Sequence, residues 1–307
     1  MIDAFHSNWT APFFSLKKSD KYYVEDFEIL TTMLSALEWQ KTNGNIKMVT
    51  DEAGAEFYRQ IGIDSIWNLG IDDTLGKSID KEINPNIFWA AGKIEALKKQ
   101  KSPCIMIDTD FIVWKTLQDK LKCSLAAIHS EELSEVYPGK AAFSMKDDYD
   151  FDKEFNWSIK PFNTALVYIN NNDFLNFYTQ SSIKFMKNLI NSNDRLINMV
   201  FAEQRMFSMC AEKMKLEVKE LMTLDELGKN NQEYFTHIWG LKDIMRKNKD
   251  IRKQFCIRCI KRLITDFPDY EKVISEIDVL KYYYEEIKFN RKKQGVYVYG
   301  LVLCRVE

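Results

Sequence analysis

The sequence predicts an α/β protein: a mainly parallel central sheet flanked by helices, with a helical appendage at its C-terminal end. Three observations point there. Over the first 120 residues short apolar runs alternate with helical patterns, which is how strands joined through crossover helices read. Two later stretches, 173–187 and 194–214, carry helical patterns. A chain of 307 residues, 46% of them hydrophobic, is long enough to cover such a sheet on both faces.

Residues 2–5 read as the first strand and 24–40 as a helix, because Phe27, Leu30, Leu34 and Leu37 recur at three- and four-residue spacing. Residues 46–49 make the second strand, ending at Thr50 and Asp51, and 57–61 belong to the helix that follows. A third strand is expected over 65–69, and a helix over 87–99 leads into the fourth strand, Cys104–Ile107. Beyond an acidic, aromatic loop (146–157) come the strand-like FNTALVYIN (162–170), the two helices, and one more strand over 218–221. The last segment, VYVYGLVLC, also reads as a strand. The division this suggests is a main domain over 1–243 and a basic helical extension over 244–307 that ends in that short strand.

A formal net charge of −2 offers no basic field for nucleic acid. The opening MIDAFHSNWTAPFF lacks the charged and apolar regions of a leader, and no stretch approaches the ~18 apolar residues of a membrane span, so a cytoplasmic chain is expected. Six scattered cysteines read as reduced thiols. The lone C-x-x-C of Cys256 and Cys259 has no second pair at zinc spacing and reads as core. From 246 to 262 eight Lys/Arg accompany one Asp, with Ile251, Phe255, Cys259 and Leu263 on one helical face. Such a helix either packs on the domain with a solvated basic side or rests peripherally on an anionic membrane at its inner face.

The chemistry concentrates in CIMIDTD, 104–110. Residues i and i+2 of an extended segment point the same way, so Asp108 and Asp110 present two carboxylates to one place. Adjacent anions repel and are costly to bury without a cation, and a hard divalent ion held by oxygen ligands answers that need. Asp148, Asp150 and Asp152 repeat the spacing, but in a polar loop with no strand before it. Right-handed crossovers bring the carboxyl ends of parallel strands to one edge, where ligands bind. Asp108 and Asp110 fall on that edge, as do His6 and Asp51 at the ends of earlier strands.

A strand ending in DTD at mid-chain resembles the metal-binding motif of GT-A-fold glycosyltransferases that use nucleotide sugars, a superfamily that includes glycogenin and galactosyltransferases. FNTALVYIN resembles the strand whose Asn and small residue face the donor sugar, here Asn163 and Thr164. AEQRMF (202–207) resembles the helix bearing an acidic or amide group under the anomeric carbon, here Glu203 and Gln204. THIWGLK (236–242) resembles the closing His-x-x-Gly segment with its nearby Lys, one residue closer here than in the glycogenin-like pattern. The match covers roughly 1–243.

The resemblance implies a GT-A-like fold and a metal-dependent transferase. Asp110 would bind Mn2+ or Mg2+ directly, Asp108 would hold the donor ribose or a metal-bound water, and His237 would complete the metal set. Lys242 would meet the diphosphate and Lys93 would lie near the donor. By edge geometry, His6 and Asp51 are expected at the nucleobase or ribose. Trp157, just before FNTA, is the expected acceptor-side aromatic. The implied partners are a nucleotide sugar, with a UDP-sugar favoured, and a glycan or lipid-linked acceptor, with a slight lean to retention of configuration. Two other readings stand beside it: a haloacid-dehalogenase-type phosphatase with Asp108 as nucleophile, and a GT-A-like protein that binds a nucleotide sugar without transferring it.

Overall fold

The computed structural model of the chain describes residues 2–190, 194–228 and 233–294. The expected terminal strand, VYVYGLVLC, lies outside them. Nine strands are present among the described residues: β1 (Ala4–Asn8), β2 (Ile46–Thr50), β3 (Ile71–Asp72), β4 (Cys104–Ile107), β5 (Phe111–Val113), β6 (Leu125–Ala127), β7 (Leu166–Ile169), β8 (Val218–Glu220) and β9 (Phe235–His237). Seven form one sheet in the order β3-β2-β1-β4-β7-β6-β8, and β5 and β9 pair in a separate ribbon. The sheet is mainly parallel, as the alternating pattern predicts, but β7 runs antiparallel to both β4 and β6.

Strand alternation splits the core in two. Ala4, Ile105 and Ile107 face helices Asp26–Thr42 and Lys249–Asp266, whereas Phe5, Cys104 and Met106 face helices Ala91–Lys98, Asn172–Asn188 and Met206–Lys213. The strand expected over 65–69 is instead a turn with a 3-10 segment at Asp64–Ile66, and β3 follows it. Gly62 and Gly70, with φ of 74° and 75°, bracket that stretch and turn the chain at both ends, so Ile66 and Trp67 drop into the core.

The extension expected from 244 does not stand apart. Its basic stretch is two helices, Trp239–Lys247 and Lys249–Asp266, broken at Asn248, whose side chain accepts from Asp250 and Ile251 N–H. Phe255, Cys256, Cys259, Ile260 and Leu263 join the same core as helix Asp26–Thr42. Arg252 bonds Asp26 at 2.8 Å, Tyr283 donates to the same carboxylate at 2.6 Å, and Arg246 pairs with Glu25 at 2.7 Å. Lys253 and Arg262 also have acidic partners within the chain. Much of the basic charge is therefore spent on internal pairs. Cys256 and Cys259 are buried, and burial pushes the Cys259 thiol up to about 12. No described helix is long and apolar enough to cross a membrane.

Candidate functional site

β4 ends where the apolar run ends, and the chain turns at once. Phe111 N–H donates to the Asp108 carbonyl at 3.0 Å, closing a β-turn over residues 108–111. Because β7 is reversed, its first residues lie beside this turn, and Asp108 N–H donates to the Ala165 carbonyl at 2.7 Å. That reversal puts Asn163 and Thr164 at the carboxyl edge of the parallel strands.

His237 arrives through the small ribbon. Phe111 of β5 registers with His237 of β9, and the two rings meet edge-on at 5.4 Å. One ligand atom each from Asp108, Asp110 and His237 lies within 4.8 Å of the others. Sequence reasoning names these three residues; the ribbon that joins them it does not find, since strands of three residues are too short for a periodic signal.

Two lysines flank the carboxylates. Lys93 Nζ lies 2.7 Å from Asp108 Oδ1 and 3.0 Å from Glu203 Oε1. Lys242 Nζ lies 2.9 Å from Asp110 and 3.3 Å from Glu28. Burial pushes the Asp108 carboxyl up to about 7 despite Lys93, because Asp110 and Glu203 crowd the same space. Burial also works against Asp110, but Lys242 and His237 outweigh it and hold that carboxyl below the ordinary range. Burial opposes the charge of Lys93 too, yet Asp108 and Glu203 hold its ammonium above the usual lysine range. His237 is lowered to about 4 by burial, so its imidazole is neutral at physiological pH.

Three carboxylates thus face two ammonium groups, one of which is shared with Glu28. Asp108 Oδ1 is buried and, though close to Lys93, accepts no well-directed hydrogen bond. A spare lone pair beside a second carboxylate and a neutral imidazole is a donor set that fits a divalent cation.

Glu203 and Gln204 sit on a wide π-helical turn, Phe201–Arg205, between helices Arg195–Val200 and Met206–Lys213. Such turns often occur at functional sites. Glu203, 5% exposed, points inward and accepts from Lys93 and, at 2.7 Å, from the Thr164 hydroxyl. Gln204 accepts from the Tyr137 hydroxyl. Arg205, buried, donates to the Tyr137 and Trp157 carbonyls and ties the 130–160 loops to the turn. Tyr137, Glu28 and Ser35 carry no sequence motif and are found only in the fold, whereas Arg205 falls within AEQRMF without being singled out by it.

The remaining expected residues are placed differently. His6 is fully buried between Trp67 and Ser35 and does not reach the surface of the site. The first strand, expected over 2–5, runs from Ala4 to Asn8, so His6 lies in mid-strand rather than at its end, and its face sends the side chain into the core. Asp51 accepts from Thr10 N–H and hydroxyl and caps helix Glu52–Gln60 through Gly54 N–H. Asn163 uses its carbonyl oxygen on Ala165 N–H at 3.1 Å. Trp157 stacks on Phe201 with ring centres 5.4 Å apart, which occupies one face of the indole. Asp152, in the acidic loop, pairs with Lys213.

In class, this is a mixed α/β chain with an acidic pair and a histidine gathered beyond the carboxyl ends of its parallel strands. It belongs to the family of unknown function DUF6734, whose sequence profile matches residues 3–277. No curated protein matches its sequence. Among solved structures it is similar to the glycosyltransferase GlyE of Streptococcus pneumoniae TIGR4, with 18% identity and a TM-score of 0.32 over 66% of this chain and 44% of that one. It is also similar to mouse xyloside xylosyltransferase 1, with 9% identity and a TM-score of 0.38 over 72% of this chain and 85% of that one. A third is HddC from Yersinia pseudotuberculosis, with 13% identity and a TM-score of 0.38 over 84% of this chain and 99% of that one. The chain spans less than half the length of the pneumococcal protein.

Proposed function

We propose that the chain is a metal-dependent glycosyltransferase that moves a sugar from a nucleotide-sugar donor, a UDP-sugar foremost, to a glycan or lipid-linked acceptor in the cytoplasm, in surface polysaccharide assembly. The observation that carries this reading is the convergence of Asp108, Asp110 and His237 with Lys93, Lys242 and Glu203 at the carboxyl edge of the sheet. Asp108, Asp110 and His237 would hold Mn2+ or Mg2+, whose charge would stabilise the departing nucleoside diphosphate.

The chain's own groups divide the remaining work. Lys242 would neutralise diphosphate charge, and Lys93 bridges the Glu203 and Asp108 carboxylates. Glu203 Oε1, already engaged by an ammonium and a hydroxyl, is better suited to stabilising positive charge at an anomeric carbon than to taking a proton from an acceptor. That favours retention, read directly from the anomer formed. Thr164 holds Glu203 through its hydroxyl, while Gln204, bonded to Tyr137, and Trp157 would line the acceptor side. Of the basic helical segment, the exposed Lys247, Lys249, Arg258 and Lys261 would meet an anionic membrane. Failure to sediment with anionic vesicles would remove that contact.

Thermal unfolding of the full chain with UDP-, GDP-, CMP- and dTDP-sugars, with and without Mn2+, tests the reading beside Asp110→Ala. A ligand that binds only the folded state adds about 2.7 kcal/mol at a hundred times its dissociation constant. The expected result is a Mn2+-dependent shift for one nucleotide class, absent from Asp110→Ala. No shift with any donor would overturn donor binding. A shift with no product from any acceptor would leave a protein that binds nucleotide sugars without transferring them.

A further inference from the structure

Behind the metal-ligand set lies a buried polar chain that the proposed reaction does not use. Trp67 Nε1 donates to His6 Nδ1 at 3.1 Å, His6 Nε2 lies 2.9 Å from Ser35 Oγ, and Ser35 donates to the Phe111 carbonyl at 2.6 Å. His6, Ser35 and Phe111 are each at most 1% exposed.

The direction of every bond in it is forced. An indole N–H can only donate, so His6 Nδ1 carries a lone pair and the ring is neutral with its proton on Nε2. A hydroxyl has one hydrogen, and Ser35 spends it on the Phe111 carbonyl, so Ser35 must accept from His6. The chain runs one way, from Trp67 through His6 and Ser35 to Phe111.

Phe111 is the residue on which the site turns. It follows Asp110, its N–H closes the turn at Asp108, and it registers with His237 across the ribbon. Its ring also meets the His237 ring edge-on. The carbonyl held by Ser35 belongs to the peptide that leaves this residue, so a shift there moves the turn and the histidine together. An apolar side chain at position 35 would leave the His6 Nε2–H and the Phe111 carbonyl buried without partners, so the hydrogen bonds fix the direction of that carbonyl and do more than fill space.

We infer that His6 and Ser35 are positioning residues for the metal-ligand set, acting through the Phe111 carbonyl to fix His237 against Asp108 and Asp110. The inference rests on the metal-site reading above, and it gives His6 a role from inside the core in place of contact with a donor. Partners behind metal ligands commonly change metal affinity by about tenfold or more when removed.

The test uses the full chain labelled at its three histidines, His6, His129 and His237. The Cε1–H resonances are followed by NMR without metal and through a Mn2+ titration, below the melting transition. Ser35→Ala should move the His237 resonance in the metal-free chain, leave His129 in place, and weaken Mn2+ binding about tenfold. His6→Gln, whose amide offers a carbonyl to Trp67 and an N–H to Ser35, should stay near the wild type. An unchanged His237 resonance in Ser35→Ala, or equal loss of affinity in both variants, would overturn the inference. If Mn2+ broadens no histidine of the wild type, the metal reading fails by itself, and the metal-free shift of His237 still decides the positioning role.

Discussion

Replacing Lys93 with methionine would remove one ammonium and strand two carboxylates. Methionine keeps most of the stem's volume, so the change is chiefly one of charge. Lys93 lies 2.7 Å from Asp108 and 3.0 Å from Glu203, with side chains 21%, 18% and 7% exposed respectively. Breaking a buried pair costs about 3–5 kcal/mol, and the partial exposure of Lys93 and Asp108 points to the lower end, ~3 kcal/mol. At roughly 2 °C per kcal/mol for a chain of this size, the melting temperature should fall by about 6 °C near neutral pH. The pH dependence gives the sharper check. Asp108 is already pushed up to about 7 by burial, and losing Lys93 raises it further. A carboxyl whose folded value lies above its unfolded one takes up a proton on folding, so the variant should regain stability as pH falls from about 8 to about 6. Glu203→Gln added to Lys93→Met should recover part of the loss by removing one stranded charge. Denaturant melts of the four chains of this cycle, at both pH values, measure it. A Lys93→Met chain as stable as the wild type at the higher pH, or one whose deficit grows on acidification, would refute the reasoning.

Mn2+ affinity measured by calorimetry should rise between about pH 6 and 8 and then level, because ligands bind deprotonated and Asp108, not His237, titrates in that window. A flat profile would remove Asp108 from the metal set. At Gly92, an added Cβ would sit 2.5 Å from Trp9 Cβ, a backbone-proximal atom that cannot give way. The usual helix gain of about 1 kcal/mol for Gly→Ala should be overtaken by overpacking of ~1–3 kcal/mol, so Gly92→Ala should melt lower and bind donor more weakly as helix Ala91–Lys98 withdraws Lys93. A stabilised Gly92→Ala chain would contradict that close approach. Arg205→Met loses charged hydrogen bonds to the Tyr137 and Trp157 carbonyls and should cost about 1.5–3 kcal/mol. Faster proteolysis within 130–160 is the expected accompaniment, and an unchanged cleavage pattern would show that these loops do not depend on it.

The run CIMI and the carboxylates that end it made β4 and its functional edge legible, because a fully buried strand stops where charge begins. The direction of β7 was not legible. LVYI is buried along its whole length and reads the same either way, so its reversal shows only in the pairing with β4. His237 could be named but not placed, since its ribbon offers three residues per strand. The burial of His6 was within reach in principle: it shares strand parity with Ala4, which faces the helix-covered core. Its polarity argued the other way, and Ser35 and Trp67, the partners that satisfy it, are distant in sequence. The basic stretch after 244 packs on the domain, one of the two readings it offered, but its ion pairs were not legible, because Glu25, Asp26 and Glu38 meet it from the far end of the chain.

The wide turn at Phe201–Arg205 makes chain length itself a constraint. Each residue of an α-helix advances about 100° around the axis. Removing one residue from this turn would restore an ordinary helix and rotate everything before it against everything after it. Glu203 could then keep Lys93 and Thr164, or Arg205 could keep its two carbonyls, but a single rotation cannot satisfy both. Variation in this segment should therefore proceed by exchange of side chains at fixed length, with insertions and deletions confined to the loops on either side of the long helix.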